Sequence, residues 1–263
     1  MSIDNIERLA KKFVKDYPEL TEGFTSLVDR ARQSHIPEKT PVAEAREQFL
    51  VVRREFKTRP HTPDLLTRYW QARWSRLGRL VGTAYEVPDS NFYQDEIEGL
   101  EHMSDPAKLL YLPDKLETTP EGLVLLGLMH PKMDHWSVKP TTSVTYDRNG
   151  GGWGFIQSDV QTPYPDATEE NLDQIINDLT RANPNLIWFG PRLATYIIGS
   201  QDSKDLTSHY FDENGWVFLA GAHTEKGLVR ASFSKQGRLR IPLVFNSNIH
   251  TEVTGARLEG YKR

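Results

Sequence analysis

Arg238-Leu239-Arg240-Ile241-Pro242-Leu243-Val244-Phe245 is the stretch whose pattern decides how the C-terminal part of the chain folds. Leu239, Ile241, Leu243 and Phe245 fall at every second position, with Arg238, Arg240, Pro242 and Val244 between them. Successive residues of a strand point to opposite faces, so this alternation reads as a strand with one buried and one wet face. Pro242 cannot donate to a ladder, which predicts an edge position or a bulge. Trp216–Ala222 and Leu228–Ser234 before it and Thr251–Leu258 after it carry similar patterns. Together they predict a four-stranded meander.

Working backwards, Asn185–Phe189 is a further strand candidate, and Pro191–Ile198 fits either helix or strand. A 3.6-residue period appears at Leu172, Ile175, Ile176 and Leu179, which predicts an amphipathic helix capped by Asp166 with Glu169 closing a capping box. Thr142–Tyr146 and Trp153–Gln157 flank Arg148-Asn149-Gly150-Gly151-Gly152, a hairpin by composition. Leu123–Met129 reads as a buried strand.

The first third of the chain is helical by the same test. Ile6, Leu9 and Phe13, then Phe24, Leu27, Val28 and Ala31, recur at spacings of three and four. Thr40-Pro41 precedes the stripe Val42, Ala45, Phe49, Val52, Phe56, and Thr62-Pro63 precedes Leu66, Trp70, Trp74, Leu77, Val81. A threonine satisfies free backbone amides at a helix start, and proline fits the first helical position, where no amide partner is lost. Between Glu86 and Pro120 the chain is acidic and broken by Pro88, Pro106, Pro113 and Pro120. This predicts an irregular connection with a short helix near Asp105 to Leu110.

The expected organisation is therefore a helical unit over 1–85, an acidic irregular connection over 86–120, and an α+β unit with a C-terminal meander over 121–263. The fold class is α+β: an N-terminal helical layer followed by a largely antiparallel β-sheet with one packed amphipathic helix.

The chain has 263 residues, of which 38% are hydrophobic and 26% charged, enough apolar material for a substantial core and too much for disorder. Its longest apolar run, Gly122–Met129, is far short of the ~20 residues that span a bilayer, so no membrane partner is expected. Acids from Asp4 onward do not suit a signal peptide. There is no cysteine, which excludes disulfides, thiolate metal sites and cysteine nucleophiles. A cytoplasmic location is the expectation.

Net charge is −4 but unevenly spread. Arg53–Arg79 holds eight bases against two acids, Glu86–Asp178 eighteen acids against five bases, and Lys226–Arg263 eight bases against two acids. Such a layout allows internal complementarity and equally offers a basic surface to an anionic partner. Arg68, Arg73, Arg76 and Arg79 spread along one arc of the Thr62–Val81 helix, interleaved with Tyr69, Trp70 and Trp74, so anion or nucleic-acid binding is one reading. The competing one puts the tryptophans in the core and docks the arginines internally.

The tripeptide His-Thr-Glu occurs at His223-Thr224-Glu225 and again at His250-Thr251-Glu252. In a meander, alternate turns share one end of the sheet, so His223, Glu225, His250 and Glu252 form a candidate divalent-metal site of imidazole and carboxylate type. Two polar turns sharing three common residues is the plainer explanation, and no His-Glu-x-x-His pattern is present. His130, Asp134 and His135 form a second, weaker ligand group. The glycine cluster Asn149–Gly154 lacks the lysine and helix start of a phosphate cradle. Neither a Gly-x-Ser-x-Gly elbow nor a Walker, kinase or dinucleotide motif occurs.

Three functions follow as expectations. The leading one is a non-catalytic binding protein that engages a macromolecular partner or a small anionic ligand through its basic helical unit. The alternatives are a metal-dependent hydrolase or oxygenase using the His/Glu site, and a nucleic-acid-binding protein. Apart from that divalent cation, no cofactor is expected.

Overall fold

The computed structural model describes residues 42–116, 120–128, 151–224, 227–241 and 253–263. The architecture is α+β, and the chain divides into two compact units. The first holds the described chain from Val42 to Asn91 together with a return that begins at Lys115; the second holds Phe92–Asp114 and the described chain from Gly151 onward.

In the first unit, α1 (Val42–Thr58) and α2 (Pro63–Val81) form a helical hairpin. Thr62 caps α2 as its sequence implies: its hydroxyl accepts from the Leu65 amide at 3.2 Å, and Pro63 follows. Gly82 closes the helix at φ 70°, a left-handed conformation that costs glycine little. The apolar stripes meet as an aromatic stack in which His61 lies 3.9 Å from Phe56 and Phe56 4.1 Å from Tyr69, with Phe49, Trp70 and Trp74 buried alongside. Gln71 then pins the departing chain, donating to the Tyr85 carbonyl at 3.0 Å and accepting from the Val87 amide at 2.9 Å.

The same unit contains α4 (Pro120–Leu125), where a strand is predicted. Gly127, at φ 68°, stops the helix: its amide bonds the Val124 carbonyl and the Leu128 amide bonds the Leu123 carbonyl. This is a Schellman termination, closed by the buried Leu123 and Leu128. An apolar run of this length does not distinguish a short helix from a strand by period alone.

The acidic segment is not an irregular connection. It contributes α3 (Gln94–Glu101) and β1 (Ala107–Leu112) to the second unit, so residues expected to form a short helix near Asp105 to Leu110 are mostly strand. β1 alternates too little to show a period because it is buried almost throughout.

The second unit contains two four-stranded sheets. The first has the order β1-β2-β8-β3, with β2 Gly152–Gln157, β3 Leu186–Phe189 and β8 Glu259–Lys262. β8 is antiparallel to both β2 and β3, so those two run parallel, joined by the crossover helix α5 (Glu169–Ala182). α5 starts later than predicted, with Thr168 and Asn171 forming the capping box in place of Asp166 and Glu169. The cause is upstream: Tyr164 is still bridged to Ala256 by two backbone bonds, and Ala167 bonds back to Tyr164.

The second sheet has the order β6-β5-β4-β7, with β4 Gly215–Thr224, β5 Gly227–Phe233, β6 Leu239–Arg240 and β7 Val253–Gly255. Its first three strands follow the expected up-and-down course. The fourth does not: β7 crosses to the far side of β4 and pairs with it in parallel, Gly215 opposite Val253. The predicted Thr251–Leu258 strand is accordingly split, its end passing through Arg257 toward β8 in the other sheet. The predicted strand end Leu243–Phe245, the hairpin half Thr142–Tyr146 and the helices before Val42 lie outside the described residues.

Helix α6 (Leu193–Thr207) settles the ambiguous Pro191–Ile198 segment as helix and packs against both sheets. A Cβ at Gly199 would touch Ile156 of β2 at 3.1 Å, while Tyr196 meets Phe233 of β5 at 5.7 Å between ring centroids. All of Leu193–Ser200 is buried. Over these first two turns the helix is enclosed on every side and has no wet face to generate an amphipathic signal.

Candidate functional site

The predicted metal ligands are not brought together by any described contact. Only the backbone of His223 is described, at the end of β4 opposite Leu228, and Glu225, His250 and Glu252 lie outside the described residues, as do His130, Asp134 and His135. β7 enters beside Gly215, the end of β4 remote from His223, so the common rim that a full meander would supply does not follow from this topology. Among the described residues no group of three or more His, Asp or Glu could hold a metal ion.

The arginines of α2 are largely occupied with the fold. Arg68 clasps Glu55 of α1, Nη2 to Oε2 at 2.7 Å and Nη1 to Oε1 at 3.5 Å, and approaches Asp64 at 3.6 Å. Hydrogen bonding to Arg68 holds the Glu55 carboxyl below its ordinary value. Arg73 is buried, its guanidinium 5.6 Å from the Trp70 ring and 5.8 Å from Phe49. Arg76 lies 4.3 Å over Phe49. Tyr69, Trp70 and Trp74 are core, so none of these rings is presented for base stacking.

The outer face of α1 differs. Arg46, Arg54 and Lys57 are exposed, and Leu50 is part-exposed among them. Spacings of four, four and three along a helix place these four side chains on one stripe. No ion pair involves Arg46, Arg54 or Lys57 among the described residues, in contrast to Arg59 and Arg68, which share Glu55. The run from Arg53 to Arg59 was visible in the sequence as charge; which of its members remain open to solvent was not.

The second unit hides a set of buried ionic groups around α6 that the sequence does not single out. Arg257, fully buried, forms a fork with Asp212 (Nη2 to Oδ1 3.0 Å, Nε to Oδ2 3.2 Å) and donates to the carbonyls of Gln157 at 2.6 Å and Gln161 at 2.9 Å. Asp212 also accepts from Tyr196 at 3.1 Å and Thr162 at 2.8 Å. Burial, together with the adjacent Asp212 charge, pushes the Tyr196 phenol well above its ordinary value. Lys108 of β1 reaches Asp202 of α6 at 2.7 Å. At the start of α6, Arg192 donates to Glu259 of β8 at 2.5 Å, and burial pushes that carboxyl up to about 7 against the pull of the guanidinium.

Chemically, the Asp212–Arg257 network binds itself: donors meet acceptors inside a sealed core, and every one of its contacts joins two segments of the chain. Such a network specifies a packing arrangement. The only hint available beforehand is that Arg257 and Glu259 are charges set among Ala256, Leu258 and Gly260. Compared with models of protein families, with curated proteins and with solved structures, the chain has no match.

Proposed function

We propose that the chain is a non-catalytic binding protein that engages an acidic partner through its helical N-terminal unit, with the outer face of α1 as the contact surface. The observation that carries this reading is the stripe Arg46, Leu50, Arg54 and Lys57: three exposed cations outside any ion pair among the described residues, around a part-exposed leucine. Elsewhere in the hairpin Arg59 and Arg68 pair with Glu55, and Arg53, Arg73 and Arg76 pack on rings. Clustered cations steer and hold anionic surfaces, and an apolar residue among them adds contact area that survives moderate salt.

An acidic protein segment suits this stripe better than nucleic acid does. Three cations neutralise few phosphates, and the rings that could stack on bases are buried. The buried Tyr196, Asp212 and Arg257 of the second unit support the same reading, since they are engaged with one another instead of facing solvent.

The test titrates the full chain with a fluorescent polyglutamate peptide and, separately, with mixed-sequence DNA and RNA, each over a salt series. Peptide binding that weakens with salt and falls at least on the order of tenfold in an Arg46→Ala, Arg54→Ala, Lys57→Ala variant of unchanged helicity supports the assignment. No peptide binding at low ionic strength, or binding indifferent to the three substitutions, removes it. Stronger binding to nucleic acid than to the peptide would replace it with the nucleic-acid reading.

A further inference from the structure

Helix α5 is sharply two-faced, yet its apolar face is not covered. Leu172, Ile175, Ile176 and Leu179 fall on one stripe, and all four are part-exposed. No described side chain of α5 is buried, whereas α1, α2, α3 and α6 each bury part of their length. The cause is geometric. α5 has 14 residues, about 21 Å of helix, and rests mainly on β3, whose four residues span about 13 Å. A helix cannot bury its whole apolar side on a shorter strand.

The border of this stripe is acidic. From Asp166 to Thr180 there are five acids and no base. Asp166, Glu170 and Asp173 are exposed and enter no ion pair among the described residues, while Asp178 is shared by Gln174 and Arg181. Two α5 helices would set acid against acid, so the face does not suit its own copy. It suits a helix with cations around an apolar centre. The outer face of α1 has that composition: Arg46, Arg54 and Lys57 around Leu50, with Val51 61% exposed beside them.

We propose that α5 of one copy of the chain docks on the α1 stripe of a second copy, so that the acidic partner of α1 is this chain itself. The inference rests on the reading of α1 given above and names its occupant. Leu172, Ile175, Ile176 and Leu179 would cover Leu50 and Val51, and the three acids would lie beside the three cations. One helix from each copy makes a small interface, below about 1,200 Å², so the association is reversible and salt-sensitive. Because the two faces differ, each copy keeps one of each to offer, and assembly continues head to tail until a ring closes.

The experiment follows the mass of the full chain by sedimentation over dilution and salt series. Two charge-reversed variants are compared with it: Asp166→Lys, Glu170→Lys, Asp173→Lys, with two cationic faces, and Arg46→Glu, Arg54→Glu, Lys57→Glu, with two acidic ones. The natural chain is expected to grow in mass with concentration at low salt and to revert at high salt or on adding polyglutamate. Each variant alone should associate at least on the order of tenfold more weakly, and an equimolar mixture of the two should associate again. Single mass for the natural chain at every concentration overturns the proposal, as does association undiminished in either variant or not restored on mixing. Should a variant fail to fold, carbodiimide coupling between isotopically heavy and light natural chains decides. Inter-copy links from Lys57 to Glu170 or Asp173 support the contact, and their absence overturns it. A chain that binds polyglutamate but never self-associates would sink this inference and leave the α1 reading standing; one that does neither removes both.

Discussion

Glu259 faces Ile156 and Phe189 from β8 and is buried at the start of α6, so its charge is costly even beside Arg192. Its carboxyl is raised from 4.5 to about 7. Between those values the folded chain keeps a proton that the unfolded chain has released. This contribution to stability is therefore complete below 4.5, declines as pH rises, and is gone above 7, a difference of about 3 kcal/mol. Glu259→Gln has no such proton to lose. Urea unfolding at about pH 5 and about pH 8 should show a smaller loss of stability with pH in the variant than in the natural chain; equal slopes would contradict the assignment. Asp212 holds Arg257, Tyr196 and Thr162 at once and sits at φ 53°. Asp212→Asn leaves the Arg257 charge buried without its counter-ion, and a loss of about 3–5 kcal/mol is expected in the same assay. None of this was legible residue by residue. A single aspartate or arginine in a string of letters looks like surface until its partner, far away in the chain, is known.

Elements were legible where a local signal agreed with the tertiary setting. The Thr62-Pro63 start of α2 is local, and Thr62→Ala should lower stability by about 1 kcal/mol, measured by chemical denaturation. Thr168 and Asn171 took over the cap of α5 because the Tyr164–Ala256 bridge holds the preceding residues in an extended course. The two boxes, Asp166/Glu169 and Thr168/Asn171, are equivalent as patterns, and a contact remote in sequence chose between them. β8 offers a different lesson through Gly260. A Cβ there would collide with the Ile187 carbonyl and the Phe155 ring, so Gly260→Ala should destabilise by about 1–3 kcal/mol. Glycine inside a strand weakens a sequence-based reading, although here it is what allows β8 to sit between β2 and β3.

At the scale of the molecule, the last residues tie the second unit together. β7 extends the second sheet, Arg257 anchors Asp212, and β8 fills the space between β2 and β3. A chain ending at Glu252 should lose the near-ultraviolet circular dichroism of Trp153 and Trp188, since β2 and β3 would no longer share a neighbour. Retention of that signal would show the sheet can form without its central strand. Legible from the sequence alone were the α+β class, the α1–α2 hairpin, α5, the strands β2 to β5 and the start of β6, because periodicity, caps and turn residues are properties of neighbours along the chain. Tertiary structure alone decided the rest. β7 runs parallel to β4, α6 is a helix, and the acidic segment supplies β1, since strand partners and burial are set by residues far apart in sequence. The candidate surfaces divide the same way: basic composition was written in the helical unit, but ion pairing and burial determined that Arg68, Arg73 and Arg76 are occupied while Arg46, Arg54 and Lys57 face water.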